Sequence, residues 1–221
     1  GICLKKMQDL KNALCGTLNI GLTHSFGSLL TGTVREFIKA YPEVKLNIHY
    51  GTAMELIEML HGKKSDFILP LAAYEKMESE VLFSTRMCAI MRKEHPLAGR
   101  RSITPEELER QSIVLPGSGL QARRTLERFI DIDTSRLNVK VEINEPNIIL
   151  GLLRSTDMVS ILSSLAVSYM PSLTAVPIEG FNREMPCCVH YLKDAYHKQA
   201  ALKFIAMLRD SAIVERIRTE I

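Results

Sequence analysis

The chain has 221 residues, 46% of them hydrophobic and 24% charged, with 28 Lys+Arg against 25 Asp+Glu and a formal net charge of +3. That apolar share excludes a globally disordered chain, and the length suits one large domain or two lobes of about 100 residues each. A charge balance this even does not mark a nucleic-acid-binding surface. Cys3, Cys15, Cys88 and the adjacent Cys187 and Cys188 form neither a disulfide framework nor a zinc-ligand spacing. A reducing cytoplasm is the simpler setting for them. No apolar run reaches the roughly 18 residues of a membrane span, and no metal or cofactor motif is read.

In chain order, Leu4, Met7, Leu10 and Leu14 recur at steps of three and four, so the spacing predicts an amphipathic helix stopped by Gly16. It reads as the later part of a linker or dimerising helix, or as a helix packed on its own domain. Thr17–Leu22 alternates and predicts a strand. Leu29–Tyr41 has a helical period through Leu29, Leu30, Val34, Phe37 and Ile38, and Pro42 stops it. Val44–Tyr50 alternates as a strand, and Ala53–Leu60 is helical with Met54, Ile57 and Leu60 on one side. Asp66–Leu69 is a short buried strand before Pro70. Strands alternating with helices predict βαβ units and a parallel sheet.

The same order returns downstream. Ser112–Leu115 is a strand, Leu120–Ile130 a helix, Leu137–Ile143 a strand, Glu145–Arg154 a helix and Met158–Leu162 a buried strand. The recurrence predicts two similar α/β lobes. Residues 81–91 and the stretch from Pro186 to Leu192 are extended segments that could cross between them. The last helix, from His197 to Leu208, then packs on the first lobe. The expected fold class is α/β: two Rossmann-like lobes joined by two crossing strands. Lobe I takes residues 16–86 and 191–221, lobe II takes 87–190, and residues 1–15 end a linker helix.

Ligands of open α/β sheets sit at the carboxyl ends of the strands, so the candidate site is a set of strand-end loops. In the first lobe these supply Thr23, His24, Ser25, Phe26, Gly51, Thr52 and Leu71. In the second they supply Gly117, Ser118, Gly119, Arg123, Ile161 and Ser163. Hydroxyls beside helix N-termini favour a small polar or anionic ligand, and Arg123 could pair with an acidic one or simply lie solvated on the surface. His24 could hold a ligand oxygen or only close its loop. Cys187 and Cys188 would face opposite sides of a strand and read as inert packing. No GxSxG or P-loop occurs, and with no placed acid or base the pattern points to binding without turnover.

Several segments together resemble the effector-binding domain of LysR-type transcriptional regulators. Gly16-Thr17-Leu18-Asn19-Ile20-Gly21 looks like that family's opening strand, and Phe37 through Leu46 like its first helix end and second strand. Gly51, Leu60, Asp66-Phe67-Ile68-Leu69 and His95-Pro96-Leu97-Ala98 match further positions, so the likeness runs from Gly16 to about Leu208. One departure is local: where the family often has Gly-x-Gly-Ile/Val leading to Leu-Pro, this chain reads Thr156-Asp157-Met158-Val159-Ser160-Ile161-Leu162-Ser163. Peroxide-sensing members carry a cysteine in the loop that here reads Gly117-Ser118-Gly119-Leu120, so that mechanism is not expected.

The resemblance implies a fold like type 2 periplasmic binding proteins, with a small effector, a carboxylate or similar, held between lobes. It implies a winged helix-turn-helix preceding residue 1, through which DNA would be bound. It also implies a homodimer in which helix 29–41 with strand 44–50 meets helix 120–131 with strand 138–143, and a possible tetramer at full length. The alternatives are a transporter's solute-binding protein and, further off, an enzyme on the same fold.

Overall fold

The structure is a computed structural model that describes residues 14–70, 77–129, 133–192, 198–211 and 214–215. The expected helix from Leu4 lies outside the described residues except for Leu14, and so does Leu71. The chain divides into two compact units. Unit 1 takes the residues up to Thr23, Leu29–Phe83 and those from Cys187 on, and unit 2 takes His24–Ser28 and Ser84–Pro186.

In unit 1, β1 (Gly16–Leu22) pairs in parallel with β2 (Val44–Tyr50) on one side and β3 (Phe67–Leu69) on the other. The connections are α1 (Gly27–Ala40) and α2 (Ala53–His61). Beyond β3 lies β9 (Glu184–Tyr191), antiparallel through Ile68 and His190, so the order is β2-β1-β3-β9. The final helix, α6 (Gln199–Arg209), packs into the same unit. Its Phe204 ring centroid lies 5.1 Å from Phe37 and 6.0 Å from Phe67. Lys198, just before α6, donates to Asp66 Oδ2 at 3.0 Å and to Thr17 O at 2.8 Å, and Arg209 at its end pairs with Glu80.

Unit 2 repeats the plan. β5 (Ile113–Pro116) lies in parallel beside β6 (Val139–Ile143), and its other side meets the segment leading into β7 (Ser160–Ser163). There Val114 N donates to Val159 O at 2.9 Å. The long β4 (Glu78–Arg92) runs antiparallel to β7 and also to β8 (Leu173–Pro177). The helices are α3 (Pro105–Glu109), α4 (Gln121–Phe129) and α5 (Pro146–Ser155). Met87, Ala89 and Met91 of β4 join one apolar cluster with Ile113 and Ile161, and Cys88 and Ile90 join another with Val114 and Leu162. Both sheet faces are therefore buried, which is why these strands read as unbroken apolar runs.

Several expectations are corrected. The sheets are mixed and not parallel throughout, because β4, β8 and β9 run antiparallel to their neighbours. Strand β8 and helix α3 were not expected, although Thr104-x-x-Glu107 is a capping box that opens α3. On α2 the inward face is Ala53, Leu56 and Leu60, while Met54 is 57% exposed. Ile38, Ile148 and Leu202 are likewise exposed although they fall on predicted apolar stripes.

Candidate functional site

In unit 1 the three strand ends meet along one sheet edge: Thr23 N donates to Leu69 O at 3.2 Å and Gly51 N to Leu22 O at 3.2 Å. Thr23 is buried, and its Oγ1 has no hydrogen-bond partner. Gly51 is buried against α2, where an added Cβ would stand 3.3 Å from Glu55 Oε2. Thr52 caps α2. Its Oγ1 donates to Glu55 Oε2 at 2.8 Å and accepts from Glu55 N at 3.4 Å, so the cap already engages its proton.

The turn His24–Phe26 belongs to unit 2 by its packing and lies against the turn Ser164–Val167. His24 is exposed, Ser25 half-buried, and Phe26 buried as the turn's apolar anchor.

The loop after β5 is shaped by the chain's own backbone. Gly117 N donates to Ile143 O at 2.8 Å, and a Cβ there would stand 2.9 Å from Asn144 N and 3.0 Å from the Ile143 carbonyl carbon. Gly119 takes φ +97°, the left-handed region. The two glycines thus answer to the turn itself, and Ser118 between them is exposed. Arg123 is neither solvated nor open: it donates to Glu127 Oε1 at 2.6 Å, Glu142 Oε1 at 3.0 Å and Pro116 O at 3.2 Å, with 16% of its side chain exposed. It ties α4 to the ends of β5 and β6.

Ile161 is core, fully buried in β7. Ser163 ends β7 and caps the turn after it, accepting from Leu165 N at 3.2 Å. Its hydroxyl lies 2.8 Å from Thr85 Oγ1, which lies 2.9 Å from the hydroxyl of Ser164. Thr85 has no signal in the sequence that places it beside this strand end. The Ser163-Ser164 doublet is visible in sequence, but Thr85 reaches it only because β4 pairs with β7, Met87 opposite Ser163.

The electrostatics do not favour covalent chemistry at the thiols. Burial pushes the Cys88 thiol up to about 11 and raises Cys187 and Cys188 as well, with Cys188 adding to the rise at Cys187. These thiols stay protonated at neutral pH and lack the thiolate that redox chemistry needs. Among the described residues no group of three or more His, Cys, Asp or Glu could hold a metal ion, and no helix is long and apolar enough to cross a membrane.

Residues 11–213 match the family model described as "LysR substrate binding domain". The chain is 28% identical over 204 residues to the HTH-type transcriptional regulator YvbU of Bacillus subtilis, covering 88% of this chain and 67% of that protein. Among solved structures it is similar to the Synechocystis CcmR regulatory domain in complex with 2-PG, with TM-score 0.72, 17% identity, and 88% and 96% of the two chains covered. It is similar too to the effector-binding domain of QuiR in complex with shikimate, with TM-score 0.67, 17% identity, and 94% and 99% covered. Two mixed α/β units of matching strand order, with polar loops at their strand ends and a family match across most of the sequence, make this chain a member of the LysR family: the effector-binding domain of a LysR-type transcriptional regulator.

Proposed function

We propose that the chain senses a small polar or anionic metabolite, a carboxylate or a similar anion, through its strand-end loops. The observation that carries this reading is Thr23: a strand-end hydroxyl buried to 5% exposure with no hydrogen-bond partner. A buried polar atom left unpaired costs about 1–3 kcal/mol, and a ligand oxygen would satisfy it. The half-buried Ser25 and exposed Ser118 stand at companion loops. The ligands named with the similar structures, 2-PG and shikimate, support a small polar ligand here.

The domain works by binding without turnover. A ligand that favours one conformation shifts the population toward it, and a coupling of about 1–3 kcal/mol is enough to change promoter response. DNA is bound by a winged helix-turn-helix preceding residue 1, in the cytoplasm. The functional unit is a homodimer through α1 with β2 and α4 with β6. Both strands are sheet edges on which Leu46 and Ile48, Val139 and Val141 are only half-buried, and Ile38 of α1 is 48% exposed.

A thermal-shift screen of organic acids finds the ligand by mass action, and calorimetry then compares variants. Ser25→Ala and Ser118→Ala are expected to weaken binding about tenfold each, roughly one lost charge-assisted hydrogen bond, with urea midpoints unchanged. Unaltered affinity in both variants would refute the strand-end site.

A further inference from the structure

We infer that Ser164, and not Ser163, is the hydroxyl that the end of β7 offers to the ligand, and that Thr85 positions and polarises it. The inference rests on the strand-end reading above and names the donor within it. Thr85 Oγ1 lies within hydrogen-bond distance of both serine hydroxyls, at 2.8 Å from Ser163 and 2.9 Å from Ser164. Three hydroxyls carry three protons, and two of those fill the two O···O contacts. One proton is left for an acceptor outside the cluster.

Burial decides which hydroxyl holds it. Thr85 is fully buried and Ser163 is 2% exposed, while Ser164 is half-buried. Ser163 Oγ already accepts the backbone N–H of Leu165 at 3.2 Å. If Ser163 carried the spare proton, that proton would sit in the interior with no acceptor. If both serines donated to Thr85, the proton of Thr85 would be stranded instead, since the two serine hydroxyls are its only side-chain partners among the described residues. A stranded buried donor bears its full desolvation penalty.

One order avoids this: the Leu165 N–H donates to Ser163, Ser163 to Thr85, Thr85 to Ser164, and Ser164 outward. Each hydroxyl in such a chain is polarised by the one before it, which strengthens the last donor. The terminal O–H suits an acceptor oxygen, a carboxylate or phosphate, and does not suit a cation. Thr85 stands on β4 two residues from the point where that strand passes from unit 1 to unit 2.

Neutron diffraction from deuterated crystals of the unliganded chain reads the order directly. The deuteron of Ser163 is expected toward Thr85, that of Thr85 toward Ser164, and that of Ser164 away from both. A Ser164 deuteron pointing at Thr85 Oγ1 overturns the inference. In solution, calorimetry with shikimate, inorganic phosphate and a set of short-chain carboxylates compares the wild type with Ser164→Ala, Thr85→Val and Thr85→Ser. The probe that binds the wild type is expected to bind Ser164→Ala about tenfold or more weakly, the loss of one charge-assisted hydrogen bond. Thr85→Val is expected to fall between, and Thr85→Ser, which keeps the hydroxyl, to stay near wild type. Equal affinity in Ser164→Ala and wild type removes Ser164 from the site and leaves the strand-end reading standing. If no probe binds the wild type although the deuterons keep the expected order, the strand-end reading fails and the ligand role of Ser164 fails with it.

Discussion

Unit 1 gathers its interior around rings, with Phe204 of α6 set between Phe37 and Phe67 and Tyr191 6.5 Å from Phe67. Unit 2 is built mainly from aliphatic and sulfur side chains sorted to opposite faces of β4. Yet both follow a similar strand plan: β2-β1-β3 in parallel with β9 antiparallel to β3 in the first, and in the second β6 parallel to β5, the segment leading into β7 on the other side of β5, and β4 antiparallel to β7. The plan is thus separable from the packing. What the two units do not share is the state of their strand-end hydroxyls. Thr23 in unit 1 is buried and unpartnered, while Ser163 in unit 2 is tied into a chain with Thr85 and Ser164.

The sharpest way to break the contrast in cores is Phe204→Ala. Removing a ring that touches two others is expected to cost about 3–5 kcal/mol by urea unfolding, and a loss under about 1 kcal/mol would show that the rings do not hold unit 1 together. Next comes the loop after β5. Gly117→Ala drives a Cβ against the Asn144 backbone and is expected to cost about 1–3 kcal/mol. Gly99→Ala, with open space around it, should stay within about 0.5 kcal/mol. Equal effects would mean that the close approach at Gly117 is not a constraint.

The two capping boxes should behave alike despite the different cores around them. Thr52→Ala and Thr104→Ala are each expected to lose about 1 kcal/mol in the same assay. The smallest effect is one of pH in unit 2. His95 Nδ1 accepts the Leu97 N–H at 3.1 Å, and burial lowers the pKa of this histidine, opposed by Asp157 and aided by Arg92. A histidine held neutral in the fold contributes stability that is complete above its unfolded pKa, about 6.5, and is lost as pH falls below it. The urea midpoint should drop on acidification, and His95→Asn, which keeps an acceptor without a titrating ring, should flatten that drop. An unchanged slope would exclude His95 as its source.

Much of the plan was legible in the chain. Alternation named β1 and β2, unbroken apolar runs named β3 and β7, and Pro42 and Gly62 ended helices where the pattern stops. Helix faces were less legible: Ile38, Met54, Ile148 and Leu202 fit a helical period but lie exposed, because an apolar stripe wider than the buried strip leaves its rim in solvent. The site was legible as loops and not as roles. Thr52, Gly117 and Gly119 carry signals that look like ligand chemistry and answer to the fold's own cap and turn. Arg123, expected either to meet an acidic ligand or to lie in solvent, is held instead by the chain's own Glu127, Glu142 and the Pro116 carbonyl.

Sequence alone determined the strand-helix alternation of each unit, apart from α3 and β8, and the family, because periodicity and turn residues act over a few neighbours and leave their mark in the string. Tertiary structure alone decided that Thr85 meets Ser163 and Ser164, 78 and 79 residues away. It also decided that β4, β8 and β9 run against their neighbours and that the Thr23 hydroxyl is left unpaired. Hydrogen-bond partners across strands are set by register and direction, and these are settled only when both faces of a sheet are packed.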